Sequence, residues 1–267
     1  MTRRLEVAPG VELSFVDEGA GRDVVLLHGV CMSSAFFCRQ LGRIDGLRLV
    51  APDFRGHGES SKPLAGHTVR TYAEDLRALV RQLSLSRPVF VGWSMGTMVA
   101  LEYFAVAGTA EVGGFVIVDQ PPSDFKWPGY DFGLFDLEAL DATNQALQTS
   151  QEEEARAFAG LMLKDPRPSD VEFMAGEIMK CPPAIASSIL LDQSLRDYRG
   201  SYAGLELPSL VVFGRDAKLT DPAAGEWIAK ELAGSRLEIF EESGHCPFYE
   251  EPERFNSLLA EFVGSLS

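Results

Sequence analysis

Within PVFVGWSMGTMVALEYF, residues 88–104, Ser94 stands in the order Gly92-Trp93-Ser94-Met95-Gly96. The apolar run at 89–91 reads as a short buried strand, and Met98, Val99, Leu101 and Phe104 then repeat at helical spacing. A sharp turn between the two would lift the serine hydroxyl above the end of a sheet, with glycines on either side letting the backbones approach. The following helix would aim its free N–H groups and positive dipole end at the serine oxygen. That arrangement suits attack on an acyl carbon. A serine at neutral pH needs a base, and the base needs a group to orient it. His245, in LEIFEESGHCPFYEEPERF, follows the last strand-like run and precedes a Pro-containing helix start, which makes it the candidate base.

The elements that must hold these residues are legible in outline. Apolar runs at 11–16, 24–27, 47–51, 89–91, 115–118, 210–213 and 237–240 are mostly continuous rather than alternating, as in parallel strands covered on both faces. Helical patterns lie between them. In VRTYAEDLRALVRQL, Thr71 and Glu74 have the spacing of a capping box, and Leu76, Leu79, Val80 and Leu83 share one face. Such alternation means a doubly wound α/β sheet. Between 120 and 207 it stops, and helical starts follow at Ser150 with Glu153, at Ser169 with Glu172, and in CPPAIASSILLDQ from Cys181. The chain therefore reads as a core of residues 1–119 and 208–267 with a helical insertion at 120–207. The insertion opens with DFKWPGYDFGLF, whose aromatics Phe125, Trp127, Tyr130, Phe132 and Phe135 suit either a pocket wall or packing of the insertion onto the core.

Composition limits the partners. With 267 residues, 46% of them hydrophobic and 24% charged, the chain is an ordinary globular protein. A net charge of -15 repels phosphate backbones and anionic membranes, which argues against nucleic acid or a membrane surface. No apolar run reaches membrane-spanning length, so a soluble, cytoplasmic protein is expected. The oligomeric state is left open. Cys31, Cys38, Cys181 and Cys246 form no Cys-x-x-Cys pair, and His28, His57, His67 and His245 no His-x-x-x-His pair. Mostly buried free thiols are expected, and no metal is implied.

Over essentially its full length the chain resembles the α/β-hydrolase fold family. LLHGVCMSSAFF resembles the family's His-Gly oxyanion loop after the third strand, DFRGHGESSKP its Asp-x-Arg-Gly-x-Gly-x-Ser turn, and residues 120–207 its helical cap. The resemblance implies a doubly wound, mostly parallel eight-stranded sheet with the cap inserted after the sixth strand, and an oxyanion hole from the backbone N–H groups of Val30 and Met95. Each such donor is typically worth about 3 kcal/mol. Asp53, Arg55 and His57 belong to the turn and are read as structural. His28, Cys31, Trp93, Phe125 and Trp127 are expected to face a small-molecule substrate, and no cofactor is required.

The chain departs from the family at the acid. Members usually read Gly-x-x-Asp-x-Leu after the seventh strand, whereas Gly214-Arg215-Asp216-Ala217-Lys218-Leu219 puts alanine at the acid position. Asp216 lies one residue early. Asp119 lies after the sixth strand, where some members place the acid. Both remain candidates.

Ser94 excludes dehalogenase-like and epoxide-hydrolase-like relatives, which carry Asp at that place. Trp93 and SGHCPFYEEPERF resemble the esterases that demethylate pimeloyl esters on a carrier protein. Residues 121–207, however, hold 15 acidic against 7 basic side chains, a poor dock for an acidic carrier. The expectation is a serine hydrolase of a small or medium uncharged carboxylic ester, thioester or lactone. Relatives that cleave carbon–carbon bonds, form peracids or oxygenate a heteroaromatic without a cofactor stay open, as does a ligand-binding receptor, for which Ala217 speaks.

Overall fold

In the computed structural model, which describes residues 2–266, the continuous apolar runs become the middle of one sheet because helices cover both faces. The strands are β1 (Thr2–Ala8), β2 (Val11–Gly19), β3 (Arg22–Leu27), β4 (Leu47–Pro52), β5 (Val89–Trp93), β6 (Gly114–Val118), β7 (Ser209–Gly214) and β8 (Arg236–Phe240). The sheet is eight-stranded, in the order β1-β2-β4-β3-β5-β6-β7-β8. β1 with β2 and β2 with β4 are antiparallel, and the remaining pairs are parallel. Every residue of β5, β6 and β7 is buried. β1 lies at the edge with its first residues exposed, which is why its sequence carries no apolar signal.

The helices are α1 (Val69–Gln82), α2 (Met95–Ala107), α3 (Leu137–Thr149), α4 (Gln151–Met162), α5 (Pro168–Ile178), α6 (Pro183–Ser194), α7 (Pro222–Glu231), α8 (Pro247–Glu250) and α9 (Pro252–Ser265). Helices α3 to α6 fall between β6 and β7. None among the described residues is long and apolar enough to cross a membrane. Several helix starts differ from the expected ones. Thr68, not Thr71, caps α1, its hydroxyl accepting from the Thr71 N–H at 3.1 Å. Ser150 is the N-cap of α4, as expected, although its side chain makes no cap bond. Pro168 fixes the start of α5, where Asp170 reaches back to the Arg167 N–H in place of the Ser169–Glu172 pair.

Helix α2 lies directly on β3, and Gly96 allows it: a Cβ there would stand 2.1 Å from the Leu27 carbonyl oxygen. The obstacle is backbone, so Gly96→Ala forces helix and strand apart at the upper end of the overpacking range, about 3 kcal/mol. Tm is expected to fall by roughly 5–10 °C in a calorimetric scan. An unchanged Tm would mean that the sheet yields at no cost.

Candidate functional site

Ser94 sits at the junction of β5 and α2 with φ 52° and ψ -128°, a left-handed conformation that is strained for a non-glycine residue. The turn is held by the Ser94 N–H on the Val118 carbonyl at 3.0 Å and the Thr97 hydroxyl on the Gly92 carbonyl at 2.7 Å. Gly92 is required by the same tightness, since a Cβ there would meet Thr97 Cα at 2.5 Å. Met95 is the first residue of α2, with an N–H that no turn of helix consumes. Among the described residues Ser94 Oγ is buried without a hydrogen-bond partner.

His245 follows β8, its N–H donating to the Met162 carbonyl at the end of α4 at 2.9 Å. Its Nδ1 lies 2.8 Å from Oδ1 of the fully buried Asp119, directly after β6. A carboxylate at Nδ1 puts the ring proton there and leaves Nε2 as the acceptor. Asp119 is itself fixed: Oδ2 accepts the Gly214 N–H at 2.8 Å, and Oδ1 also accepts the Thr220 hydroxyl. Of the two candidate acids, only Asp119 is brought to the histidine. Asp216 points away, 46% exposed, and pairs with Lys164 at 2.7 Å. The one-residue slip is not absorbed, because the Asp216 N–H is tied to the Ser243 carbonyl at 3.0 Å.

Ser94 and His245 open into one cavity of about 280 Å³. Val30 and Cys31 line it beside them, and Leu134, Phe135, Leu147, Phe158, Leu161 and Leu190 give it a largely apolar wall. Four residues expected to face a substrate are elsewhere. Trp93 is fully buried beneath the histidine, where its indole N–H donates to the His245 carbonyl at 2.9 Å and its ring packs on Phe36 and Phe248. Phe125 and Trp127 pack against each other at a tilt of 56° with centroids 4.9 Å apart, and the Trp127 N–H is taken by Ser123 Oγ at 2.9 Å. Of that aromatic stretch, Phe135 reaches the cavity.

His28 is the fourth, buried under the loop it was expected to serve from the cavity. Its Nε2 accepts the Phe54 N–H at 3.0 Å, so Nδ1 carries the proton and donates to the Gly29 carbonyl at 2.7 Å. In a trans peptide the C=O of Gly29 and the N–H of Val30 point in opposite directions, so holding one aims the other. The Gly29 backbone lies against Ser94: a Cβ on it would be 3.5 Å from Ser94 Oγ. Burial pushes the His28 pKa down to about 4. The unfolded chain then binds a proton below pH 6.5 that the folded chain refuses until about pH 4, so stability falls as pH drops through that window, by up to about 3 kcal/mol. Below it the loss is complete. Asp124 acts in the opposite sense, so the test is a difference: between pH 6.5 and 4, wild type should lose more denaturant resistance than His28→Gln. Parallel curves would remove His28 as the cause.

Asp124 is a cavity residue that the sequence did not single out. Its carboxylate accepts from Gln120 Nε2 at 2.7 Å and Gln193 Nε2 at 2.9 Å, and burial raises its pKa to about 6. With Gln120, Thr143, Glu154, Gln193 and Thr220 it supplies the polar part of the lining beside Ser94 and His245. Only its place in the loop shortly after β6 could have flagged it, and nothing in DFKWPG marks that carboxylate as inward. The arrangement can take a proton from a serine hydroxyl and place an acyl group against it.

The sequence pattern of the Alpha/beta hydrolase family matches residues 24–258. The chain belongs to the alpha/beta hydrolase family. It is 28% identical over 264 residues to the AB hydrolase superfamily protein YisY of Bacillus subtilis (strain 168), covering 96% of each chain. It is also 28% identical over 264 residues to the pimeloyl-[acyl-carrier protein] methyl ester esterase of Vibrio vulnificus (strain YJ016), covering 95% of this chain and 98% of that one. Among solved structures, the esterase EaEST from Exiguobacterium antarcticum superposes with a TM-score of 0.94 at 26% identity, over 99% of this chain and 100% of the other. The chain is thus an alpha/beta hydrolase with esterases among its relatives.

Proposed function

We propose that this alpha/beta hydrolase is a serine esterase that cleaves a small or medium uncharged carboxylic ester, with thioesters and lactones as related substrates. The observation that carries the reading is the His245–Asp119 contact at 2.8 Å opening into the same cavity as the strained Ser94. Ser94 Oγ attacks the carbonyl carbon while Nε2 of His245 takes its proton and later delivers it to the leaving alkoxide. Asp119 holds the ring in that tautomer and stabilises the imidazolium. The backbone N–H groups of Val30 and Met95 receive the oxyanion, Val30 aimed through the His28–Gly29 bond. Water then releases the acid from the acyl-enzyme by the same steps in reverse. Helices α3 to α6 act as the cap, and their wall of Leu147, Phe158, Leu161 and Leu190 suits an apolar acyl or alcohol group.

The resemblance to the pimeloyl esterase supports ester chemistry, but the acidic charge of residues 121–207 argues for a free ester over one carried on an acidic protein. Incubation with a fluorophosphonate should add one label, read by intact mass, and short chromogenic esters should be turned over anaerobically. Failure of both would sink the reading. Asp119 after β6 also supports a second reading, cofactor-independent oxygenation of a heteroaromatic substrate; oxygen consumption with candidate substrates and no ester turnover would favour it. Ala217 no longer speaks for a receptor, because Asp119 takes up the acid's role at the histidine.

A further inference from the structure

We propose that Cys31, Cys181 and His57 form a buried binding site for one thiophilic metal ion, with Zn²⁺ as the fitting case, which ties the α5–α6 connection to the loop that carries Val30. The three residues are far apart in sequence and match no metal motif, so spacing implied no metal. The fold nevertheless brings their ligand atoms within 4.8 Å of one another, all three side chains buried. Ligand atoms around a tetrahedral zinc with two thiolates and an imidazole stand about 3.5–3.8 Å apart, so small side-chain rotations complete the site.

The imidazole is the independent sign. His57 Nδ1 lies 3.0 Å from the Arg55 carbonyl, which fixes the proton on that nitrogen. Nε2 is therefore a lone-pair donor, and it is buried without a hydrogen-bond partner among the described residues. A backbone carbonyl on one ring nitrogen and a free lone pair on the other is the outer support that metal-bound histidines use. The turn that carries His57 is rigid: Asp53 accepts the Ser34 and Glu59 N–H groups at 2.7 and 2.8 Å, and Arg55 pairs with Asp75 through two contacts of 2.5 Å.

Charge and softness select the ion. Two thiolates neutralise a divalent cation, so the loaded site carries no net charge into a buried place. The sulfur-rich set favours zinc or copper(I) over magnesium or calcium. On binding, two S–H bonds are lost, two metal–sulfur bonds form, and two protons pass to the buffer. Cys31 itself has φ 59°, a strained conformation directly after Val30, and its fixation by an ion would stiffen that loop.

The test uses the full-length protein, reduced and freed of metal by a chelator under anaerobic conditions. Zinc is titrated against a chromophoric chelator, and cobalt(II) is added separately as a spectroscopic stand-in. One equivalent of zinc, a thiolate-to-cobalt charge-transfer band with tetrahedral visible bands, and a zinc-dependent rise in Tm are expected. Cys181→Ser and His57→Asn, checked for native circular dichroism, should each weaken zinc by more than about 100-fold, the upper end of what a lost supporting group costs. The cobalt spectrum of the wild type stands even if a variant misfolds. No stoichiometric zinc, equal affinity in Cys181→Ser, or a Cys31–Cys181 disulfide formed under mild oxidation with no metal uptake by the reduced protein would overturn the proposal.

Discussion

Ser94→Ala is expected to abolish fluorophosphonate labelling and to lower kcat for a chromogenic ester by about 10⁵–10⁶-fold, with KM little changed. The size follows from what remains. Without the hydroxyl, His245 and Asp119 have nothing to activate except water, while the proposed Val30 and Met95 donors would still polarise a bound carbonyl, and that alone leaves about 10³–10⁴-fold over the uncatalysed reaction. Alanine keeps a Cβ at the same φ of 52°, so the turn tolerates it about as well as serine and Tm should hold. The cavity wall is untouched, so substrate binding survives. Retained labelling would point to another nucleophile, and the Cys31 thiol also lines the cavity. That thiol is a weak candidate, because its hydrogen bond with Cys181 and its burial push its pKa up.

What the sequence revealed and what it concealed divide along a physical line. Strands β5, β6 and β7 are buried on both faces, and burial writes continuous apolar runs that need no partner to be recognised. The Ser94 turn is similarly local: its two glycines, its strand and its helix occupy one stretch of chain. β1 escapes because an edge strand with Arg3, Arg4 and Glu6 looks like surface, and its identity depends on pairing with β2. The start of α1 shifts from Thr71 to Thr68 because threonine capping signals recur there and the backbone uses only one of them, while the start of α5 moves because Pro168 fixes it. Side-chain direction is harder still. Trp93 neighbours Ser94 in sequence, yet strand alternation sends it below the sheet end, under His245. The Cys31, His57 and Cys181 cluster was beyond reach, since three segments must fold before their spacing has meaning.

Asp119→Asn should lower kcat by about 10⁴-fold, while Asp216→Asn should stay within about twofold of wild type. The argument rests on the number of donors. Three groups point at the Asp119 carboxylate: the Gly214 N–H on Oδ2, and the Thr220 hydroxyl and His245 Nδ1–H on Oδ1. An amide has only one acceptor oxygen, so its NH₂ must face one of them. If it faces Gly214, two donors collide in a buried place and the loop after β7 is pushed away. If it faces His245, the ring accepts at Nδ1, its proton moves to Nε2, and the atom that should take the Ser94 proton is already protonated. Either way the base is lost or displaced. The Asp216 carboxylate pairs with the Lys164 ammonium at the surface, and an exposed pair of that kind adds little to stability and nothing to the ring's tautomer. Steady-state kcat for both variants, with Tm to show that each is folded, separates the two acids. A slow Asp216→Asn with an intact Asp119→Asn would mean that the loop after β7 rearranges when substrate binds, bringing the second carboxylate inward to the histidine.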